Sequence, residues 1–351
     1  MRLELKCPRC GNWSRLKSDM LNGFGEISCT RNRCDYRNSA RMWIDNSDDR
    51  CNLPSNTYFY TGDRTKQKTG LGLLRAALRD GVMRGDNDTT ATAGPANISV
   101  RRTPDDNNKV TIQLVDDEVT LRGVHLTAND SGDADKTIVL LSGSGGSTSG
   151  MCNDNDQVVG VAGIVDGYLR KNCNVLAVDY RGYGNSDGTP SSRGFYSDAM
   201  AMAWFLMGHK DANGRGLKPG NIIVHGWSIG SGPAVETALR MQQDNCPPAG
   251  LVLHCPIAST YAVGTKMANK PAGWIADKAF GFRNEAKIPN VRLPVVVIWG
   301  STDATFRDFG PVLRDAANQP KRADEFIGGH FSHSAIFYPP TGALIDWILA
   351  Q

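Results

Sequence analysis

Ser228 stands at the centre of the pattern Gly226-Trp227-Ser228-Ile229-Gly230, directly after an apolar run and before a segment of helical character. A strand that turns sharply into a helix exposes a serine hydroxyl, and the flanking glycines leave room for the turn. The N-terminus of the following helix also favours negative charge beside the serine. This context predicts that Ser228 is a catalytic nucleophile.

A second Gly-x-Ser-x-Gly pattern surrounds Ser186, from Gly184 to Gly188. Ser186 lies seven residues beyond Asp179, where the preceding strand is expected to end. The residues after it, Gly-Thr-Pro-Ser, are typical of a loop. The pattern alone is therefore weak, and its context favours Ser228.

The general base is sought among six histidines. Where a strand–turn–helix serine is the nucleophile, an acid and then a histidine follow it in the chain. Only His254, His330 and His333 follow Ser228. His254 ends an internal apolar run, whereas His330 follows a short strand and a glycine bend. We therefore expect His330 to be the base, with His333 as the alternative.

The acid is expected directly after the carboxyl end of the strand that precedes the histidine. The run Val295–Gly300 is followed by Asp303, which fits this place, and Asp308 is the fallback in the next predicted helix. In this arrangement the serine attacks an acyl carbon, the histidine transfers the proton, and the aspartate fixes the histidine tautomer.

An oxyanion hole needs two inward-pointing N–H groups. The sequence predicts one from Ile229 and the other from Ser144, with Gly143 as the alternative, in the loop that follows the apolar run ending at Leu141. This glycine-rich loop lacks the Gly-Lys-Ser/Thr ending of a phosphate-binding loop and any dinucleotide fingerprint.

Strands and helices must alternate to position these groups. Two alternating runs with a turn at Asp116-Asp117 resemble paired antiparallel strands, and the continuous apolar runs that follow are typical of buried parallel strands. These runs lie at 137–142, 175–179, 222–227, 251–255 and 295–300, with helical segments near 157–170, 196–207, 230–243 and 309–317. The pattern predicts an α/β fold with a mostly parallel sheet flanked by helices.

The nine cysteines predict a second module. Cys7, Cys10, Cys29 and Cys34 form two closely spaced pairs, and four thiolates can hold one Zn²⁺ tetrahedrally. Four free thiols in a disordered leader are the alternative. We therefore expect a zinc-finger module over residues 1–45, a connector with a short helix and a linker over 46–109, and the catalytic domain over 110–351. Cys173 and Cys255 are expected to be buried packing thiols.

Charge and hydropathy exclude several classes of protein. Lys and Arg number 39 against 36 Asp and Glu, and residues 1–50 carry ten of the former against seven of the latter. This weak positive charge makes nucleic acid an unlikely partner. No apolar run is long enough for a transmembrane helix, and the N-terminus lacks the apolar core of a secretory signal. The sequence thus favours a cytoplasmic protein, with a bacterial effector delivered by a non-Sec route as the alternative.

Two resemblances add to this interpretation. The segments Asn172–Gly188, His225–Gly232, Leu251–Ser259 and Ile327–His330 resemble the Bem46-type α/β-hydrolases, over about residues 118–350. The subgroup of eukaryotic protein depalmitoylases is the most similar. The segments Lys6–Gly11 and Ile27–Tyr36 resemble the Ogr/Delta-type zinc finger of phage transcription activators, over about residues 5–44.

The first resemblance implies hydrolysis of an acyl ester or thioester, with palmitoyl-protein thioesterase as a specific form. Two departures concern the substrate: the oxyanion loop reads Ser142-Gly143-Ser144 where the family usually has His-Gly-Asn, and Phe331-Ser332 follows the histidine where Asn-Asp is common. The segment 261–288 occupies the place of a cap, whose apolar residues either face an acyl chain or pack on the sheet. The alternative function is an inactive hydrolase scaffold that acts as a zinc-finger binding or regulatory protein whose finger contacts DNA or RNA. For the serine hydrolase, the zinc module is expected to dock a protein partner.

Overall fold

The computed structural model describes the chain from residue 109 to 351 except for residues 115–118, 129–133, 135, 145–161, 185, 209–214 and 331. Before residue 109 it describes short strands, six of which pair as antiparallel hairpins: Glu4–Lys6 with Trp13–Arg15, Glu26–Ser28 with Arg37–Ser39, and Tyr58–Phe59 with Lys68–Thr69. The four cysteines of the expected zinc site and the short helix expected in the connector lie outside the described residues.

Among the described residues, nine strands form one sheet. They are β1 (Ile98–Arg101), β2 (Lys109–Leu114), β3 (Val119–Leu126), β4 (Lys136–Leu141), β5 (Cys173–Val178), β6 (Ile222–Trp227), β7 (Gly250–His254), β8 (Val295–Gly300) and β9 (Lys321–Phe326). Their order across the sheet is β9-β8-β7-β6-β4-β5-β3-β2-β1. The pairs from β1 to β3, and β3 with β5, are antiparallel, and the pairs from β5 to β9 are parallel. The predicted mostly parallel sheet, opened by antiparallel strands, is confirmed.

Burial explains why these segments are strands. Every residue of β5, β6, β7 and β8 is buried, as expected for parallel strands covered on both faces. In β3 buried and half-buried residues alternate, which is the pattern of a strand with one covered face.

Helices cover both faces of the sheet. They are α1 (Ala162–Arg170), α2 (Ser192–Met207), α3 (Ser231–Gln243), α4 (Thr260–Met267), α5 (Lys270–Phe280), α6 (Asn284–Lys287), α7 (Phe309–Ala316) and α8 (Gly342–Leu349). Residues of α2, α3 and α7 pack in one apolar core, and residues of α1 and α8 pack in the other. Among the described residues, no helix combines the length and the apolar character needed to cross a bilayer.

The helices α4 and α5 form the segment expected to be a cap. Each begins at a side-chain cap: Ser259 accepts from the N–H of Ala262, and Asn269 accepts from the N–H of Ala272. An isolated antiparallel β-bridge between Ser259 and Arg283 joins the two ends of this two-helix segment.

Two apolar residues assigned to this cap by sequence lie in or against the core. Ile275 is buried, and Phe282 is fully buried against Gly232 of α3 and stacks on Phe195 of α2. Phe282 therefore supports the helix behind Ser228 and does not face a substrate.

Candidate active site

Ser228 occupies a sharp turn between β6 and α3. It opens a single 3₁₀ turn, Ser228–Gly230, that runs directly into α3 at Ser231. Its φ of 56° lies in the left-handed region, which costs energy in a residue with a side chain and marks sites where the surrounding fold enforces it. A Cβ on Gly230 would lie 2.1 Å from the carbonyl oxygen of Leu141, so only glycine lets the turn approach the end of β4.

The structure brings together the three residues that the sequence nominates for catalysis. His330 Nε2 lies 2.9 Å from Ser228 Oγ, and His330 Nδ1 lies 2.8 Å from Asp303 Oδ2. These distances make a continuous chain of hydrogen bonds from the hydroxyl through the imidazole to the carboxylate. Ser228 is 5% exposed and Asp303 is 4% exposed, so the chain lies in a largely dry setting where charge interactions are strong.

Asp303 is held as a carboxylate by its own loop. Its Oδ1 accepts from the N–H groups of Thr305, at 3.1 Å, and Phe306, at 2.9 Å. Burial alone would raise the pKa of Asp303, but the hydrogen bonds from His330 and from these two backbone groups outweigh it. The pKa of Asp303 therefore lies below its ordinary value, and the group is ionised at neutral pH.

The imidazole of His330 lies near two aromatic rings. Its centroid is 4.4 Å from that of Phe306 and 5.5 Å from that of Trp227, with interplanar angles of 31° and 37°. The indole N–H of Trp227 also donates to the carbonyl of His330, at 3.3 Å. Trp227 directly precedes Ser228, so one short segment places both the Ser228 hydroxyl and the indole ring beside the imidazole of His330.

A buried hydrogen-bond network fixes the turn from behind. The hydroxyl of Ser231 donates to the carbonyl of Ser228 at 2.6 Å and accepts from the N–H of Ile257 at 3.1 Å. The side-chain amide of Asn284 donates to the same hydroxyl and to the carbonyl of Ile257. The strained turn is thereby tied to the loop after β7 and to α6.

The expected oxyanion donors lie beside Ser228. Ile229 is in the first turn after the nucleophile, where N–H groups have no acceptor within the helix. A Cβ on Gly143 would lie 3.1 Å from that of Ser228, so the loop after β4 passes close to Ser228. Ser144 follows Gly143, and residues 145–161 lie outside the described part. Assignment of Ile229, Ser144 or Gly143 as donors stays a prediction.

The other serine, histidine and aspartate candidates from the sequence have different surroundings. The hydroxyl of Ser186 donates to the carbonyl of Asp179 and accepts from the N–H of Arg122. His254 is fully buried against the rings of His225 and Phe326. Asp308 is exposed and pairs with Lys266 of the cap. The side chain of His333 lies outside the described residues.

One group in the described part has metal-ligand character. Ligand atoms of Cys255, Asp303 and His330 lie within 4.8 Å of one another. Within this group, the carboxylate of Asp303 and the imidazole of His330 bond directly to each other. The zinc site expected at Cys7, Cys10, Cys29 and Cys34 falls outside the described residues and stays a prediction.

Sequence reasoning missed several residues at this site. Phe306 is three residues from Asp303, but nothing in its local pattern places it on the imidazole. Ser231 and Asn284 meet only because α6 returns to the back of α3. Cys255 was expected only to pack, and its position at the end of β7 was the one signal that could have nominated it.

Comparison with known proteins agrees with the fold. A family model described as the alpha/beta hydrolase family matches residues 138–347. A segment of 148 residues is 35% identical to the multifunctional-autoprocessing repeats-in-toxin protein of Vibrio cholerae, covering 42% of this chain and 3% of the toxin. A segment of 134 residues is 34% identical to human alpha/beta hydrolase domain-containing protein 17B, covering 38% of this chain and 41% of that protein.

A solved structure shows the same architecture. The crystal structure of an alpha-beta hydrolase from Vibrio vulnificus matches with a TM-score of 0.56 and 25% identity, over 70% of this chain and 81% of that chain. The sequence similarity to the two curated relatives spans less than half of either, so their activities are not transferred by similarity alone.

Proposed function

The chain belongs to the alpha/beta hydrolase family, and from this premise we propose that it is a serine hydrolase that cleaves an acyl ester or thioester through Ser228, His330 and Asp303. The observation that carries the proposal is the unbroken hydrogen-bond chain between these residues, with Ser228 on a strained turn. Each group has the chemistry and the contact that its role requires.

In the first half of the reaction, Ser228 Oγ attacks the acyl carbonyl carbon while His330 Nε2 takes the hydroxyl proton. The carbonyl becomes an oxyanion, which the N–H of Ile229 and an N–H of the Gly143–Ser144 loop would stabilise. The oxyanion collapses, the bond to the alcohol or thiol breaks, and His330 returns the proton to the leaving group. Ser228 then carries the acyl chain as an ester.

In the second half, water replaces the leaving group. His330 Nε2 takes a proton from water, the hydroxide oxygen attacks the acyl carbon, and the proton returns to Ser228 as the acid departs. Asp303 stays ionised throughout and stabilises the imidazolium that forms in each half. Its depressed pKa supports this role.

For the substrate we propose a fatty-acyl group linked to a small molecule or a protein, including a palmitoyl thioester. The support is the resemblance to the depalmitoylase subgroup, the similarity to human alpha/beta hydrolase domain-containing protein 17B and a two-helix cap that leaves and rejoins the fold between β7 and β8.

The reaction type is tested with a fluorophosphonate probe, which reacts only with an activated serine. The full chain should become labelled, and Ser228→Ala should not. An unlabelled wild type would instead favour an inactive scaffold, and equal labelling of Ser228→Ala would place the nucleophile elsewhere.

The acyl group is tested with a panel of acyl esters and acyl thioesters of graded chain length, again with Ser228→Ala as the control. We expect kcat/KM to rise with chain length for the thioesters. A maximum at short esters would contradict the fatty-acyl proposal while leaving serine hydrolysis intact.

We also propose that Cys7, Cys10, Cys29 and Cys34 bind one structural Zn²⁺ and form a module that docks a protein partner. Four thiolates are a donor set that suits tetrahedral Zn²⁺. Metal analysis of the full chain should find about one zinc per chain, and Cys7→Ser with Cys10→Ser should remove it. A zinc content below about half an equivalent in the wild type would contradict the module.

A further inference from the structure

Cys255 lies at the carboxyl end of β7, and the catalytic scheme above does not use it. Its side chain is fully buried, and its φ is 44°. A left-handed backbone is costly in a residue that is neither glycine nor asparagine, and such strain collects at functional sites. Its N–H donates to the carbonyl of Ile298 in β8 at 2.8 Å, which holds the residue in this conformation.

The strained backbone points the thiol at the acid of the proposed triad. The Sγ atom lies within 4.8 Å of both the Asp303 carboxylate and a ring nitrogen of His330. The thiol and the carboxylate are therefore neighbours in a buried setting. A carboxylate can only accept, so a hydrogen bond between these two groups uses the thiol proton.

The thiol keeps that proton under working conditions. Burial, followed by the negative charge of Asp303, raises the pKa of the Cys255 thiol well above its ordinary value. A neutral thiol is a poor nucleophile but remains a hydrogen-bond donor. Cys255 is therefore unsuited to covalent chemistry and suited to holding an anion.

A second buried thiol offers a comparison. Cys173 on β5 is 2% exposed, has an ordinary strand backbone, and donates to the carbonyl of Lys171 at 3.5 Å. It fills space in the apolar core, as the sequence predicts for both thiols. Cys255 differs in its strained backbone and in its charged neighbour, and simple packing accounts for neither.

We propose that Cys255 is a positioning residue for Asp303, whose carboxylate it orients by S–H donation. This inference rests on the proposed serine-hydrolase function. Asp303 then has four donors: Thr305 and Phe306 from its own loop, His330, and the proposed donor Cys255 at the end of the neighbouring strand.

S–H donation from Cys255 would stabilise the Asp303 carboxylate as an anion and fix its orientation. Each donor to the charged form lowers the basicity of the carboxylate and weakens it as an acceptor for the proton of the imidazolium. Loss of the thiol donor makes the carboxylate–imidazole pair more basic, so a higher pH is needed to free His330 Nε2 for the proton of Ser228. The acid limb of the pH profile therefore moves to higher pH.

The test is the rate of fluorophosphonate labelling of Ser228 as a function of pH, measured on the full chain. This readout does not depend on acyl preference. The variants are Cys255→Ala, which removes the donor, Cys255→Ser, which restores one, and Cys173→Ala as the matched buried-thiol control. Cys255→Gly removes the donor while relaxing the backbone, and it replaces Cys255→Ala if that variant does not fold.

We expect Cys255→Ala to label about fivefold more slowly than wild type at neutral pH. Its acid limb should move up by about half a pH unit. Cys255→Ser should label within about twofold of wild type without an upward shift, because a hydroxyl is the stronger donor. Cys173→Ala should match wild type in both rate and profile.

Three results would overturn the inference. A wild-type rate and profile in Cys255→Ala, or in Cys255→Gly where it replaces that variant, would show that the donor is not used. An upward shift in Cys255→Ser as large as in Cys255→Ala would show that only volume matters. An unlabelled wild type would remove the proposed function and this inference with it, whereas normal labelling that depends on Ser228 but not on Cys255 would remove the inference alone.

Discussion

Two serines of this chain share the Gly-x-Ser-x-Gly pattern, and the structure uses the pattern in opposite ways. Around Ser186 the two glycines carry the unusual backbone: Gly184 has a φ of 47° and Gly188 a φ of 85°. Around Ser228 the serine itself carries it, with a φ of 56°. There the glycines supply space, since a Cβ on Gly226 or Gly230 would overlap neighbouring atoms.

The two hydroxyls differ accordingly. Ser186 is satisfied within its own region, where it donates to Asp179 and accepts from Arg122, and it fastens a loop to β3. Ser228 directs its hydroxyl at the imidazole of His330, which belongs to a loop 102 residues away. The comparison teaches that the strain has to fall on the serine for the hydroxyl to be presented to a base.

The test with the largest expected effect replaces each of the two serines by alanine. Ser228→Ala should lower kcat/KM for an acyl ester by about 10⁴-fold or more, because the nucleophile is lost. Ser186→Ala should keep kcat/KM within about threefold of wild type and lower the free energy of unfolding by about 1–3 kcal/mol, because two buried groups lose a partner. Ester hydrolysis and urea unfolding measure the two quantities; comparable losses of activity would break the distinction.

The next test changes the aspartate that supports each region. Asp303→Asn should lower kcat by about 10³–10⁴-fold, since the amide favours the wrong histidine tautomer. Asp198 instead holds Arg181 beside the Ser186 loop, through bonds of 2.8 and 2.9 Å. Asp198→Asn should lower the free energy of unfolding by about 3 kcal/mol, because a buried guanidinium loses its counter-charge.

Steady-state kinetics above the KM and chemical denaturation separate these effects. An Asp303→Asn variant with near-normal kcat would assign the acid role to another group. A fully stable Asp198→Asn variant would show that the arginine finds other acceptors.

A third test exchanges the glycines. Gly230→Ala should lower the free energy of unfolding by about 3 kcal/mol, because the new methyl group meets the Leu141 carbonyl. Gly188→Ala should cost about 1–2 kcal/mol, chiefly through its left-handed backbone. Gly220, whose Cβ would meet nothing within 4 Å, is the control. Thermal unfolding ranks the three, and a Gly188→Ala effect larger than that of Gly230→Ala would reverse the proposed roles.

The smallest expected effect is on the pH dependence of stability. The pKa of Asp187 lies below its ordinary value, chiefly through its bond to Arg122, and the pKa of Asp303 is also lowered. A lowered carboxyl pKa contributes stability that is present above the unfolded pKa and is lost as the pH falls through the folded one, here below about pH 4.

Urea unfolding at pH 5 and pH 3 tests this sign. Asp303→Asn should show a smaller loss of stability between these values than wild type. Asp187→Asn should change the loss by only about 0.5 kcal/mol or less, because its partner Arg122 is half-exposed and solvent screens the pair. A larger effect from Asp187 would contradict the assignment of Asp303 as the more strongly held carboxylate.

Much of the fold was predictable because it depends on local patterns. The runs that became β4 to β8 are continuous and apolar, and burial on both faces requires that composition. The cap helices α4 and α5 were not predicted as helices, since they are short and pack chiefly on each other at close glycines, Gly264 and Gly273. The role of Phe282 as a core residue was left open for the same reason.

In the candidate site, too, local features were predictable from the sequence and long-range contacts were not. The nomination of Ser228, Asp303 and His330 followed from chain order and from the ends of apolar runs. The preference for His330 over His333, three residues on, rested on a glycine bend, and the contacts of Phe306 and Cys255 had no local signal. These contacts join loops that lie tens of residues apart in the chain.

By itself, therefore, the sequence determined the alternation of strands and helices, the turn at Ser228 and the order of the three groups, because each depends on residues close together in the chain. Tertiary structure alone decided that the ring of Phe306 lies against the imidazole of His330 and which thiol lies beside the acid. Both depend on the parallel pairing of β7, β8 and β9, which brings the carboxyl ends of distant strands to one edge of the sheet.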